Sequence, residues 1–251
     1  SLDDLKKCLS EKTKLVIINS PNNPGGIHYS KEWMAEFADI IAKYPDVYIM
    51  NDEIYYELNY FDPKPTFHYH EKPELLERTI IVDGISKSFA STGLRLGYCI
   101  APEPIATAIA KFQGQTTSGA SSLIQRAIYE FDFAKIEDFL GPVKTHLRNN
   151  SKILKDILRQ NNLSHLWYQS MSAFYFVLDV SKAPVMENYK KSADDKGDYS
   201  DQICEDLLNQ YGIAAVPGTS FGLKNAARIS LVLDKEPFTE SINVLVKFLL
   251  N

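Results

Sequence analysis

Six residues have side chains suited to chemistry and lie near the ends of predicted strands; they are Asn23, Asp52, Tyr55, Lys87, Arg95 and Arg228. Lys87 follows a short apolar run, where loss of solvation lowers the pKa of a lysine and makes its amine a nucleophile toward a carbonyl. Asp52 ends an earlier run, and its carboxylate can either cap a turn or face a ring nitrogen and keep it protonated. Tyr55 lies on the same loop, with a phenol available to a nearby oxygen.

The other three residues also have an ordinary structural interpretation beside a functional one. Arg95 comes eight residues after Lys87 and can be a surface charge, although a guanidinium also offers a fork of donors that matches phosphate. Arg228 opens the apolar run ARISLVL, where an unpaired charge is costly, so we expect a substrate carboxylate or an internal acid nearby. Asn23 lies in PNNPGG, whose residue types are common in any turn.

Short continuous apolar runs predict the strands that position these residues. Strands are expected at Leu15–Asn19, 47–50, 79–82 and 98–101, and the first three are expected to be buried on both faces. Ser30 is suited to cap a helix whose apolar face carries Trp33, Phe37, Ile40 and Ile41. The pattern predicts an α/β fold with a mostly parallel sheet flanked by helices and with ligands beyond the carboxyl ends of its strands.

The second part of the chain has a different pattern. Helical sequence extends over 121–159, with a break or kink predicted at Gly141-Pro142 because proline removes a backbone donor. Strands at 173–180, 213–216 and 228–233 and helices at 200–211 and 237–250 predict a smaller α+β domain. We place the domains at 1–140 and 141–251. The polar stretch 182–198 is predicted to be a surface insertion.

Composition excludes several classes of protein. The chain has 251 residues, 45% of them hydrophobic, and a formal charge of −5 that disfavours a general nucleic-acid partner. No apolar run reaches membrane-spanning length, and we expect a soluble, cytoplasmic protein without a membrane partner. Cys8, Cys99 and Cys204 form no CxxC pair, so neither a disulfide framework nor a metal site is predicted. No GxGxxG turn supports nicotinamide binding.

Six motifs occur in an order that is far more specific than any one of them: PNNPGG, NDEIYYEL, GISKSFASTGLRLGY, SAFYF, AVPGTSFG and ARIS. In these motifs the chain resembles the class I/II aminotransferases of the aspartate aminotransferase superfamily, which have fold type I among pyridoxal-phosphate enzymes. The resemblance covers nearly the whole chain. It implies that residues 1–140 are the carboxy-terminal part of the large cofactor-binding domain and 141–251 the small domain.

The resemblance implies pyridoxal 5'-phosphate as the cofactor and gives most of the six residues a role toward it. Lys87 matches the catalytic lysine, which forms a Schiff base with the cofactor and moves the proton. Asp52 matches the carboxylate that pairs with the pyridine nitrogen. Asn23 and Tyr55 match the pair that hydrogen-bonds the phenolic oxygen, and Arg95 matches the arginine that binds the phosphate.

The resemblance also implies the reaction and the partners. Arg228 matches the arginine that binds the α-carboxylate of the substrate. The implied reaction moves an amino group between an L-amino acid, aspartate-like by resemblance, and a 2-oxo acid. A homodimer is implied because the family builds its sites at a subunit interface.

Some departures from the family pattern leave alternatives open. Gly84 stands three residues before Lys87, where the family often has Ser or Thr, and Gly25 replaces a threonine. The glycine-rich phosphate turn and the aromatic residue stacked on the cofactor precede PNNPGG in the family and are not in this chain, so we expect a fragment. The alternatives are a lyase of the same fold that catalyses carbon–sulfur β-elimination, and a catalytically inert truncated fragment.

Overall fold

The protein forms two compact units in the computed structural model, which describes residues 1–168, 170–190 and 197–251. The first unit comprises Ser1–Asn22 and His28–Gly141, and the second comprises Asn23–Ile27 and Pro142–Asn251. The short segment Asn23–Ile27 therefore belongs with the later part of the chain. No helix in the described ranges has the length and apolar content that a membrane crossing requires.

The first unit is built on a four-stranded sheet with the strands in chain order, β1 to β4. Its strands are β1 Leu15–Asn19, β2 Tyr48–Asp52, β3 Thr79–Gly84 and β4 Gly97–Ile100. The first three strands run parallel and β4 pairs antiparallel with β3. This confirms the α/β class and the mostly parallel sheet, and the predicted strands lie within two residues of the observed ones.

Helices connect and cover these strands; they are α1 Leu2–Cys8, α2 Lys31–Ala42, α3 His68–Glu71, α4 Ile85–Ser88, α5 Glu103–Thr116 and α6 Ser122–Glu130. Ser30 caps α2 as predicted, because its side-chain oxygen accepts a hydrogen bond from the Trp33 N–H at 3.2 Å. Helix α5 was not predicted from the sequence, although Ile105, Ile109 and Phe112 recur at helical spacing. None of the residues of α5 or α6 is buried.

The prediction that the strands are buried on both faces is wrong for the described chain. One face of the sheet packs on the core, where Phe37 and Ile49 are almost fully buried together with Ile18. On β1 and β4, by contrast, Ile17 is 62% exposed and Ile100 is 61% exposed. Side chains alternate between the faces of a strand, so a continuous apolar run does not by itself show that both faces are covered.

Helix α7, Ile136–Gln160, runs without interruption through Pro142. A break or kink was predicted at Gly141-Pro142, and the break is wrong. The helical sequence is interrupted earlier, where Phe131 is extended after α6. Asp132 then accepts a hydrogen bond from the Ala134 N–H at 3.2 Å and starts a new turn.

The second unit contains an antiparallel three-stranded sheet in the order β5-β7-β6. Its remaining elements are β5 Tyr175–Asp179, α8 Met186–Lys190, α9 Ser200–Tyr211, β6 Val216–Pro217, β7 Ala226–Ser230 and α10 Lys235–Leu250. The Asn150 amide on α7 donates to the carbonyls of Leu231 and Leu233 at 2.9 and 2.8 Å, which joins the helix to the chain after β7. This is the predicted α+β pattern, and β7 begins two residues earlier than expected.

The predicted surface insertion at 182–198 is only partly described. Residues 191–196 lie outside the described ranges. Before them, α8 buries Met186 and Tyr189, so this part of the stretch is not a surface loop. Its apolar residues are spaced to pack one side of a short helix.

Candidate active site

Lys87 lies on α4, the single helical turn that follows β3, and its side chain is half-buried. Its Nζ is 6.0 Å from the centroid of the Tyr55 ring. Tyr55 is 4% exposed and follows β2, the parallel neighbour of β3. Because parallel neighbours end at the same edge of a sheet, the two side chains meet beyond that edge, as predicted for ligand sites in this kind of sheet.

Asp52 is the last residue of β2. Its Oδ1 accepts a hydrogen bond from the Ile54 N–H at 3.2 Å, so it does serve as a turn cap. Burial raises the pKa of the carboxyl, and this hydrogen bond opposes the rise only in part. A carboxylate in such a place gains from a nearby cation, which includes a protonated ring nitrogen.

Asp83 lies one residue beyond the Asp52–Val82 pair of β2 and β3, and sequence reasoning missed it. Its Oδ1 accepts from the Gly84 N–H at 2.6 Å and its Oδ2 accepts from the Tyr98 hydroxyl at 2.9 Å. Burial raises its pKa, and the like charge of Asp52 acts in the same direction. Alignment of the strand ends was the available signal, since both acids end neighbouring strands.

Glu53 is a second missed acid, and it is 8% exposed. Its Oε1 accepts hydrogen bonds from the Tyr69 hydroxyl and from Asn51 Nδ2, each at 2.6 Å. Burial raises the pKa of Glu53 to about 7, and the charges of the neighbouring acids add to this effect. The carboxyl therefore changes its protonation state near neutral pH. Its contact with Tyr69, sixteen residues away, left no local signal in the sequence.

Arg95 is exposed and lies just before β4, in the left-handed region at φ 54° and ψ 46°. Its Nη1 donates to the Thr92 carbonyl at 3.1 Å. A non-glycine residue held in this region costs about 1 kcal/mol or more, and such residues cluster at ligand sites. Nearby, a Cβ on Gly84 would lie 2.9 Å from the Leu96 carbonyl oxygen, which explains why neither Ser nor Thr occupies that position.

The second unit brings Arg228 and Asn23 together. Arg228 lies in the middle of β7, and its Nη1 donates to Asn23 Oδ1 at 2.8 Å. The guanidinium carbon is 4.2 Å from the centroid of the Tyr175 ring and 5.0 Å from that of Phe221. No carboxylate of the described residues lies within ion-pair distance of Arg228. We expected either a substrate carboxylate or an internal acid near Arg228, and the described residues supply no internal acid.

Asn23 is held by the turn that follows it. The Gly26 carbonyl accepts hydrogen bonds from the Met171 and Ser172 N–H groups at 2.9 and 2.8 Å. Gly26 has a φ of +63°, and a Cβ there would overlap the Ser172 carbonyl oxygen. Both the backbone conformation and the close approach require glycine.

In chemical terms, the first unit offers an amine near a phenol ring, at the sheet edge where Asp52 ends β2, and the second offers a cation suited to a carboxylate. The described residues contain no group of acids, histidines and cysteines that could hold a metal ion. An α/β unit with a lysine after its third strand, followed by an α+β unit with an arginine in its sheet, is the architecture of an aminotransferase-type enzyme. The chain belongs to the family described as aminotransferase class I and II, whose model matches residues 1–245.

Individual relatives agree with this assignment. The chain is 30% identical over 249 residues to an aspartate/prephenate aminotransferase of Nitrosomonas europaea, which covers 99% of this chain and 62% of that protein. It is 34% identical over 247 residues to an aspartate aminotransferase of Pinus pinaster, covering 96% of this chain and 49% of that protein. The crystal structure of an aromatic aminotransferase from Pyrococcus horikoshii OT3 is 28% identical, with a TM-score of 0.84, and covers 99% of this chain and 63% of that one.

These comparisons confirm the family and the fold class that the motifs predicted. The chain spans about half to two thirds of the length of these relatives. The roles of the six residues stay predictions, and so does the activity of the whole protein.

Proposed function

We propose that the protein moves an amino group between an L-amino acid and a 2-oxo acid with pyridoxal 5'-phosphate as cofactor. The observation that carries this proposal is the half-buried amine of Lys87, 6.0 Å from the Tyr55 ring, at the sheet edge where Asp52 ends β2. Membership of the aminotransferase family supports it.

The residues of the first unit fit this cofactor by their chemistry. When bound, pyridoxal phosphate supplies an aldehyde that accepts an amine and a ring that withdraws electrons from the reacting carbon. Asp52, whose pKa is raised by burial, is suited to hold a proton on the ring nitrogen. Tyr55 would donate its phenol hydrogen to the phenolic oxygen of the cofactor. Arg95 would bind the phosphate through its fork of donors.

Two residues act on the substrate. Lys87 Nζ would hold the cofactor and would take the proton from the α-carbon of the substrate as a general base. Arg228 binds the α-carboxylate. Asn23 Oδ1 accepts a hydrogen bond from Arg228, and the Asn23 amide nitrogen is a donor group of the kind that suits a phenolic oxygen.

For the substrate we propose an aspartate-like amino acid. Two curated relatives carry aspartate in their names, and this is the support for the choice. The Pyrococcus structure is of an aromatic aminotransferase, so an aromatic amino acid is the alternative to test beside aspartate.

We also propose the finer features of the protein. The first unit corresponds to the carboxy-terminal part of the large domain, residues 1–140, and the second to the small domain, residues 141–251. The exposed apolar side chains of β1 and β4 support a homodimer. The unpaired cysteines Cys8, Cys99 and Cys204 support a reducing, cytoplasmic location.

The test is to incubate the protein with pyridoxal phosphate, reduce it with borohydride, and locate the modified peptide by mass spectrometry. We expect the adduct on Lys87 and its loss in Lys87→Arg, which keeps the charge. An adduct spread over surface lysines, or none, would overturn the cofactor role. Transfer from L-aspartate to 2-oxoglutarate then tests the reaction. Release of pyruvate and ammonia without an acceptor would favour the lyase, and an adduct without turnover would favour the inert fragment.

A further inference from the structure

The Arg228 guanidinium carbon lies over two aromatic rings, 4.2 Å from the centroid of Tyr175 and 5.0 Å from that of Phe221. We propose that Tyr175 and Phe221 are positioning residues, which hold this guanidinium so that its N–H edge faces an incoming carboxylate. The inference deepens the proposed function, since it rests on Arg228 as the carboxylate-binding residue. We call the two rings the aromatic clamp.

The sheet register brings both rings to Arg228. Val177 of β5 pairs with Arg228, so Tyr175, two residues earlier on β5, lies on the same face as a diagonal neighbour. Val216 of β6 pairs with Arg228 from the other side, and the turn that follows it ends at Phe221. Each strand beside β7 thus contributes one ring to the clamp.

Stacked rings and hydrogen bonds use different parts of a guanidinium. The guanidinium carbon lies over both rings, at distances where its positive charge is attracted to the ring electrons. The five N–H donors lie in the plane at its edge, and Asn23 accepts from one of them. The clamp therefore restrains the cation and leaves edge donors available for a planar carboxylate.

The clamp also replaces the partner that a cation in a strand usually needs. No described carboxylate pairs with Arg228, so a substrate does not have to displace an internal acid. The restrained side chain loses little further conformational entropy when a carboxylate binds, and such preorganisation increases affinity. Ring faces and one amide thus stabilise the charge without neutralising it.

The clamp acts on the group that all substrates of the reaction share. Loss of a ring should raise KM for the amino acid and for the 2-oxo acid by the same factor, about tenfold for each ring. It should leave kcat nearly unchanged, and it should not alter the preference between aspartate and an aromatic amino acid. A residue of a side-chain pocket would change that preference instead.

The experiment compares ring-removing with ring-retaining variants. Phe221→Leu and Tyr175→Leu remove a ring, whereas Phe221→Tyr and Tyr175→Phe keep it. Phe176→Leu is the matched control, because Phe176 is fully buried in the same strand and its ring lies 5.8 Å from Lys155 instead. Succinate, which has no amino group, is titrated into each protein while the Arg228 Nε–H signal is followed by NMR.

We expect the succinate Kd to rise about tenfold in Phe221→Leu and in Tyr175→Leu, with less than about a twofold change in the two ring-retaining variants and in the control Phe176→Leu. Near-UV circular dichroism checks the fold of every variant, and the partly exposed Phe221 position is the one less prone to unfold when changed. Unchanged succinate affinity in Phe221→Leu would overturn the proposal, as would an Arg228 signal that does not respond to succinate in the unsubstituted protein. The Lys87 adduct is read separately, so failure of the cofactor role and failure of the clamp are distinguishable.

Discussion

The two units hold their charged groups in opposite ways. The first unit places Asp52, Glu53 and Asp83 in partly buried positions, and burial raises the pKa of all three carboxyl groups. The charge of Asp52 adds to the rise at Glu53 and at Asp83, and the charge of Asp83 adds to the rise at Glu53. The second unit holds the single cation of Arg228 by two ring faces and one amide oxygen.

The difference has a chemical consequence. The Glu53 carboxyl, whose pKa burial raises to about 7, exchanges its proton near neutral pH, which suits a region that must hold or move a proton. A guanidinium stays protonated at any pH that a protein tolerates. The first unit should therefore respond to pH, and the second should bind a carboxylate with little dependence on it.

The largest expected effect is a loss of kcat that differs between substitutions of Asp52 and Asp83. Asp52→Asn removes the charge proposed to face the ring nitrogen, and we expect kcat for amino transfer to fall about 10²- to 10³-fold. Asp83→Asn, whose carboxylate is bound to Tyr98 and the Gly84 N–H, should cost less than about tenfold. Steady-state rates of both variants test this order. Equal losses would show that the acids act as one group.

The next prediction concerns how the free energy of unfolding depends on pH in the first unit. The pKa of Glu53 rises from 4.5 to about 7 on folding, so the native state binds this proton more tightly than the unfolded state does. The free energy of unfolding should fall by about 3 kcal/mol from this group as pH rises from 4.5 through 7, and Glu53→Gln should abolish that fall. Urea unfolding at a series of pH values measures the difference between the two proteins.

The unsubstituted protein must be compared with Glu53→Gln because the contribution of His68 to the free energy of unfolding changes with pH in the opposite direction. Burial lowers the pKa of His68 to about 4, so its contribution to stability increases as pH rises from 4 through 6.5. This effect is the same in both proteins and cancels. Arg228→Gln serves as the control from the second unit and should leave the pH slope unaltered. A changed slope there would contradict the separation of the two regions.

Substitutions of Gly84 in the first unit and Gly26 in the second compare how much each backbone position loses in stability when a Cβ is added. Gly26→Ala combines a φ of +63° with an overlap on the Ser172 carbonyl, and we expect it to lower the free energy of unfolding by about 2–3 kcal/mol. Gly84→Ala meets the Leu96 carbonyl oxygen at 2.9 Å without a positive φ, and about 1 kcal/mol is expected. Chemical denaturation ranks the two. The reverse ranking would mean that the β3–β4 contact is the more rigid one.

The smallest effect tests one hydrogen bond. The Tyr98 hydroxyl bond lowers the pKa of Asp83 against the effect of burial, so Tyr98→Phe should raise that pKa further. A carbon-13 NMR titration of the Asp83 carboxyl group measures it. Tyr175→Phe, in the second unit, should leave the Asp83 titration where it was.

Much of the fold was predictable because local patterns decide it. The apolar runs that form β1, β2 and β3, the Ser30 cap of α2 and the helix Ser200–Tyr211 all follow from neighbouring residues. The predictions that failed concern long-range packing. Whether both faces of the sheet are covered depends on distant elements, and α7 tolerates Pro142 although a lone proline signal predicts a break.

For the candidate site, the order of the motifs was enough to select Lys87, Asp52, Tyr55, Asn23 and Arg228 as the residues to examine. Side-chain chemistry and spacing carry that information without a structure. Only the tertiary structure revealed the acids beside Asp52 and the rings on Arg228. The reason is physical: a pKa depends on burial and on charges from other strands, and a stacked ring arrives through sheet register. Burial, the charges of other strands and the sheet register are established only when the chain folds.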